Sequence, residues 1–152
     1  MDNILIGEGM GNIRFGMTRD EVKKIWGQPD EIDTYSSSDM KDDNTEAYHY
    51  DEMEVSVSFD QLDGWHLSSI AVSSPEVRLE GLQLIGTSSE ELLQKVAKLD
   101  LGEYEREDVS SVETPNHELI SFYDADLNFW LENDQVTEIQ FGPIADDEGY
   151  AE

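Results

Sequence analysis

The chain has no cysteine, and only 9 lysines and arginines stand against 36 aspartates and glutamates in 152 residues. Without cysteine there is no disulfide, no thiol nucleophile, no cysteine-linked lipid and no cysteine metal site. The scarcity of cations leaves a formal net charge of −27. A field of that sign repels nucleic acid and anionic membrane and attracts basic proteins. The bland counterpart is a solvated surface adapted to high salt. No apolar run approaches the roughly 20 residues needed to span a bilayer. Residues Met1 to Gly7 offer no basic region and too short an apolar run for a secretory leader, so a cytoplasmic location is the expectation.

What is present begins with Phe15 to Pro29, which reads as a short helix with both ends marked. Thr18 and Glu21 have capping-box spacing, in which each side chain satisfies a backbone N–H near the other. Asp20 and Glu21 complement the positive end of the dipole. Val22, Ile25 and Trp26 share one face. Gly27 suits a left-handed C-terminal residue, and Pro29 forbids continuation. A weaker counterpart follows 70 residues later: Thr87–Glu90 or Ser88–Glu91 as the cap, Leu92, Val96 and Leu99 as the stripe, and Gly102 as the stop.

Between and after the helices lie strand patterns. Ala47 to Tyr50 is one, Glu54 to Asp60 alternates cleanly, and Leu67 to Val72 returns after a hairpin with an Asp63-Gly64 turn signal. Leu119 to Tyr123, Leu127 to Glu132 and Val136 to Phe141 follow in the second half, with Asn133-Asp134 as a tight turn. The polar residues 30 to 45 read as a surface loop. The sequence therefore predicts an α+β fold. Two tandem repeats, residues 1–75 and 76–144, each contain a helix and a three-stranded antiparallel meander. The helices cover one sheet face, the other face is open, the repeats share one core, and an acidic tail occupies residues 145–152.

The Gly16-Met17-Thr18-x-x-Glu21-Val22 start, the Gly27-x-Pro29 stop and the meander that follows resemble the tandem-repeat β-lactamase inhibitory proteins. Single copies resemble outer-membrane assembly lipoproteins of the SmpA/OmlA type. The resemblance covers residues 12 to 143 and implies an open sheet face that binds proteins. Both groups depend on cysteines that this chain lacks.

No catalytic constellation is legible. Gly7, Gly9 and Gly11 are followed by no helix, so they make a turn rather than a phosphate loop. His49, His66 and His117 have no metal-ligand spacing, and no Ser-His-Asp motif stands out. Asp39, Asp42, Asp43 and Glu46 lack the ordered spacing of a calcium loop. No enzyme activity, metal or cofactor is expected. Trp130 alternates with Leu127, Phe129 and Leu131 in a way that places it on the open face, where interfaces favour tryptophan and tyrosine. The expected partner-binding set is Trp130, Tyr48, Tyr50, Glu54, Asp63, Trp65, Glu132 and Glu138. The expected partner is a basic protein such as a toxin or nuclease, which would make the chain an immunity protein. The alternative is a non-inhibitory assembly factor of the lipoprotein type.

Overall fold

Alternation in the sequence becomes alternation in burial. In the computed structural model, which describes residues 3–36, 44–61, 64–99, 101–113 and 115–143, Val55, Val57 and Phe59 are buried while Ser56 and Ser58 are not. The same parity holds over Leu127, Phe129 and Leu131. In chain order the elements are β1 Asn3–Leu5, β2 Gly9–Met10, β3 Ile13–Arg14, α1 Arg19–Trp26, β4 Glu31–Ser36, β5 Asn44–Tyr50, β6 Val55–Asp60 and β7 His66–Val72. They continue with β8 Arg78–Leu79, β9 Leu82–Gln83, α2 Ser89–Val96, β10 Tyr104–Asp108, β11 His117–Phe122, β12 Leu127–Glu132 and β13 Gln135–Phe141.

Eight strands form one antiparallel sheet in the order β10-β11-β12-β13-β7-β6-β5-β4. Its seam is the β13–β7 pairing, Ile139 with Val72, Gln140 with Ala71 and Phe141 with Ile70. The five short strands make a second sheet in the order β3-β2-β1-β8-β9. Ile4, Met10, Ile13 and Leu79 of that sheet join Val22, Leu92 and Val96 of the helices in one core cluster with Phe59, Ile70, Phe129 and Phe141. One face of the large sheet is therefore covered by the helices and the small sheet.

The α+β class and the tandem helix-plus-meander repeats are overturned. Among the described residues, thirteen strands stand against two α-helices of 8 residues each and a 3-residue 3-10 turn, which makes the protein mainly β. The six expected strands form, residues 30–45, expected as a surface loop, contribute a seventh to the large sheet, and residues 103–116, whose pattern suits a polar strand or a loop, contribute the eighth. Those are β4 and β10, its edges. An edge strand with exposed side chains needs no apolar alternation, and charge there discourages edge-to-edge pairing. The glycine-rich turn likewise contains β2, whose Gly9 lies against β3. A Cβ at Gly9 would sit 2.0 Å from the Ile13 carbonyl oxygen.

Both helices start as their caps dictate. The Glu21 N–H donates to Thr18 Oγ1 at 3.2 Å and the Thr18 N–H donates to Glu21 Oε1 at 2.9 Å. Ser88, not Thr87, caps α2, accepting from the Glu91 N–H at 3.2 Å. Each helix entry is tied to the large sheet by backbone bonds, Gly16 and Met17 to Leu67, Gly86 and Thr87 to Val136. The α1 stripe is narrower than its spacing suggests. Val22 is fully buried, Trp26 packs edge-on against Tyr50 at 5.4 Å, and Ile25 is 41% exposed. The acidic tail lies outside the described residues. Among those residues, no helix is long and apolar enough to cross a membrane.

Candidate functional site

The uncovered face of the large sheet is decided by register. The neighbouring strands β6 and β7 offer small side chains, Ser56 and Ser58 from β6 and Ser69 and Ala71 from β7. His49 of β5 rises on one side and Trp130, Glu132 and His117 on the other. A shallow groove of ≈ 580 Å³ runs between them, with Thr137, Glu138 and Gln140 of β13 in its floor.

Trp130 stands where alternation placed it. It is directly opposite Glu138 across the β12–β13 pair and opposite Leu119 across the β11–β12 pair. The His117 ring packs against the indole at 5.6 Å. Glu132 is exposed at the groove wall, cross-strand from His117. Glu138 is half-buried, and burial raises its carboxyl pKa above the usual range, with His117 working weakly the other way. Glu54 lies in the β5–β6 turn at φ 56°, on the rim of a hollow of ≈ 260 Å³ that it shares with Glu138 and Ser56.

Three expected contacts belong elsewhere. Tyr48 and Tyr50 register with Val57 and Val55, so they point into the covered face and are 3% and 5% exposed. Tyr48 packs on Phe59 at 5.0 Å, and the Tyr50 hydroxyl donates to the Gly27 carbonyl at 2.9 Å. Burial raises both phenols, that of Tyr50 to about 12. They were misplaced because β5 carries Glu46 in phase with them, which looks like a solvent face. Arg19 neutralises Glu46 at 3.0 Å instead. Trp65 sits beside α1 with the Arg19 guanidinium 4.5 Å from its ring centre, an internal cation–π contact rather than a free anchor. Asp63 lies outside the described residues.

The structure also assembles a group that the sequence did not reveal. The His49 ring lies 2.7 Å from Ser56 Oγ through Nδ1 and 2.9 Å from Asp33 Oδ2 through Nε2. Asp33, His49 and Ser56 come from β4, β5 and β6, so only strand pairing brings them together. The order matches a serine nucleophile, a base and an orienting acid. Hydrolysis also needs donors aimed at a developing oxyanion. Ser56 is mid-strand, paired on both sides with His49 and Ala71, so the neighbouring backbone N–H groups belong to the ladder. The chain of bonds instead fixes the His49 ring and ties the β4 edge to the sheet.

Charge divides the molecule. Glu31, Asp33, Asp60, Glu105, Glu107, Glu132 and Glu138 lie on the uncovered face by register. Among the described residues, no lysine or arginine does. Arg19, Lys23 and Lys24 are on α1 and Lys95 on α2, Lys98 follows α2, and Arg14 and Arg78 are on the small sheet. Arg106 of β10 registers with buried Ile120 and pairs with Glu118, away from this face. No group of three or more His, Asp or Glu among the described residues is arranged to hold a metal. Compared with protein-family models, curated proteins and solved structures, the chain matches none.

Proposed function

We propose that the uncovered face of the eight-stranded sheet docks a basic protein, and that the chain acts in the cytoplasm as an inhibitory or immunity module against it. One observation carries this reading: the face presents an aromatic-walled groove framed by carboxylates, with no described lysine or arginine on it. Such a field speeds encounter with a cationic partner and is weakened by salt. Trp130 supplies the kind of half-buried aromatic that dominates interface energies. The likeness of the Gly16 to Pro29 stretch to the inhibitory proteins agrees with the reading but names no partner. The gathering of the described lysines and arginines away from this face favours a directed field over a surface acidity that merely suits high salt.

The test starts from a partner captured from lysate at low salt and then purified. Trp130→Ala should raise the dissociation rate about 10-fold or more with little change in association. Glu132→Gln should lower the association rate and flatten its salt dependence. Lys24→Glu with Lys98→Glu should do neither. Strong loss from the helix-side changes with silence from the sheet would place the docking surface elsewhere. Loss of the partner's activity on binding favours the inhibitory reading, and retained activity favours the assembly-factor alternative.

A further inference from the structure

We propose that the groove beside Trp130 receives one arginine side chain of the partner, its guanidinium charge held by Glu138 and its flat face against the indole. This rests on the docking reading above and gives that reading its chemistry.

The pairing of Trp130 with Glu138 is the first reason. They are direct cross-strand neighbours on the uncovered face, so their Cβ atoms are about 4.5–5.5 Å apart. A planar cation between them meets an aromatic surface and a carboxylate at once. Glu138 itself is the second. It is half-buried, and among the described residues its carboxylate takes part in no ion pair or hydrogen bond, with His117 acting on it through charge alone. A carboxylate withdrawn from water without a partner is costly, and an incoming cation removes that cost. The raised carboxyl pKa reports the same deprivation.

The floor of the groove is the third reason. A guanidinium has five N–H donors in one plane, more than a single carboxylate can accept. The Gln140 side chain, two residues along β13 from Glu138, lines the same groove and offers its amide oxygen as a further acceptor, while its Nε2 donates to Ser69 Oγ at 3.3 Å. A lysine ammonium is compact, more strongly hydrated and without a flat face, so it uses less of this site. Other occupants fit worse. No described lysine or arginine is on this face to meet an anion, and a second copy would bring like charges together at a net charge of −27.

The probe is Nα-acetyl-arginine methylamide, titrated into the full chain at low salt and followed by ¹H–¹⁵N NMR, with the lysine counterpart in parallel. The arginine probe should shift the Trp130 indole N–H and the Glu138 amide saturably, leaving the Trp26 and Trp65 indoles still. It should bind about 5-fold more tightly than the lysine probe. Glu138→Gln should weaken it about 10-fold, while Glu54→Gln, on the rim, should not. No saturable shift at Trp130, equal binding of the two probes, or an unchanged response in Glu138→Gln overturns the proposal. The purified partner separates the two levels. If Trp130→Ala weakens it and Glu138→Gln does not, the arginine site is wrong and the docking face stands. If neither does, the docking face is wrong as well.

Discussion

Phe129 and Trp130 are consecutive residues of β12 with opposite surroundings. Phe129 is fully buried and packs edge-on against Phe122 at 5.9 Å. Trp130 faces the groove with the His117 ring packed against it. The bigger aromatic is the more exposed one, so size and hydrophobicity do not decide which is core. Strand parity does, and parity has meaning only because helices and a second sheet cover one face. The comparison extends across the sheet. One face is a close-packed layer of Val, Ile, Leu and Phe. The other is small in the middle, aromatic at one wall and framed by carboxylates with no described lysine or arginine.

The largest break in that contrast comes from cutting back each neighbour in turn. Phe129→Ala should cost about 3–5 kcal/mol, because it opens a cavity that the fixed β-sheet cannot collapse to fill. Trp130→Ala should cost about 1 kcal/mol or less, in the range of changes that open no core cavity. Chemical denaturation of the two variants reads both numbers. Equal costs would mean that Trp130 belongs to a second core and not to an exposed surface.

A smaller effect concerns pH. Burial raises the carboxyl pKa of Glu138 and of Asp126 above the ordinary values of 4.5 and 3.8. The folded state therefore holds these protons more readily than the unfolded chain does. Each ionised group opposes folding at neutral pH. Stability rises as pH falls through the folded pKa and is fully regained below the unfolded value. Asp108 and Asp134 run the other way. Hydrogen bonds from Ser110 and Ser89 lower their pKa, so their contribution is present at neutral pH and fades only in stronger acid. Thermal melting should thus be higher near pH 5 than near pH 7.5, and Glu138→Gln should reduce that gain. An equal gain in both proteins would assign it to general charge repulsion and not to the uncovered face.

The smallest expected effect is on chemistry. Ser56→Ala should leave the slow hydrolysis of p-nitrophenyl acetate unchanged, since Ser56 is paired on both sides in the sheet and its neighbouring backbone N–H groups are taken up by the ladder. Labelling of Ser56 by a fluorophosphonate, lost in His49→Ala, would make this face catalytic after all.

The helices were legible because their signals are local. The Thr18–Glu21 box, the Ser88 cap and the Gly27 stop act within a few residues and need no partner. The Asn133-Asp134 turn is equally local, with φ of 52° and 63°. Trp130 and Glu132 could be placed on one face because β12 alternates cleanly, whereas Glu138 joins them through a β12–β13 pairing whose register shifts beside Trp130. Tyr48 and Tyr50 could not, because β5 is ambiguous until Arg19 is seen to neutralise Glu46.

By itself the sequence determined both helix starts and the end of α1, the alternating faces of β6 and β12, the absence of thiol chemistry and the sign of the charge, but not the end of α2, which stops at Val96 rather than at Gly102. Each of these rests on short-range capping, side-chain period or composition. Only the tertiary structure decided that polar edges complete an eight-stranded sheet and that the class is mainly β. It alone joined Asp33, His49 and Ser56 and withdrew Glu138 from water beside Trp130. Those outcomes depend on which strands become neighbours. Strand order is fixed by burying one face against the helices and small sheet, a long-range condition that no local stretch of the chain contains.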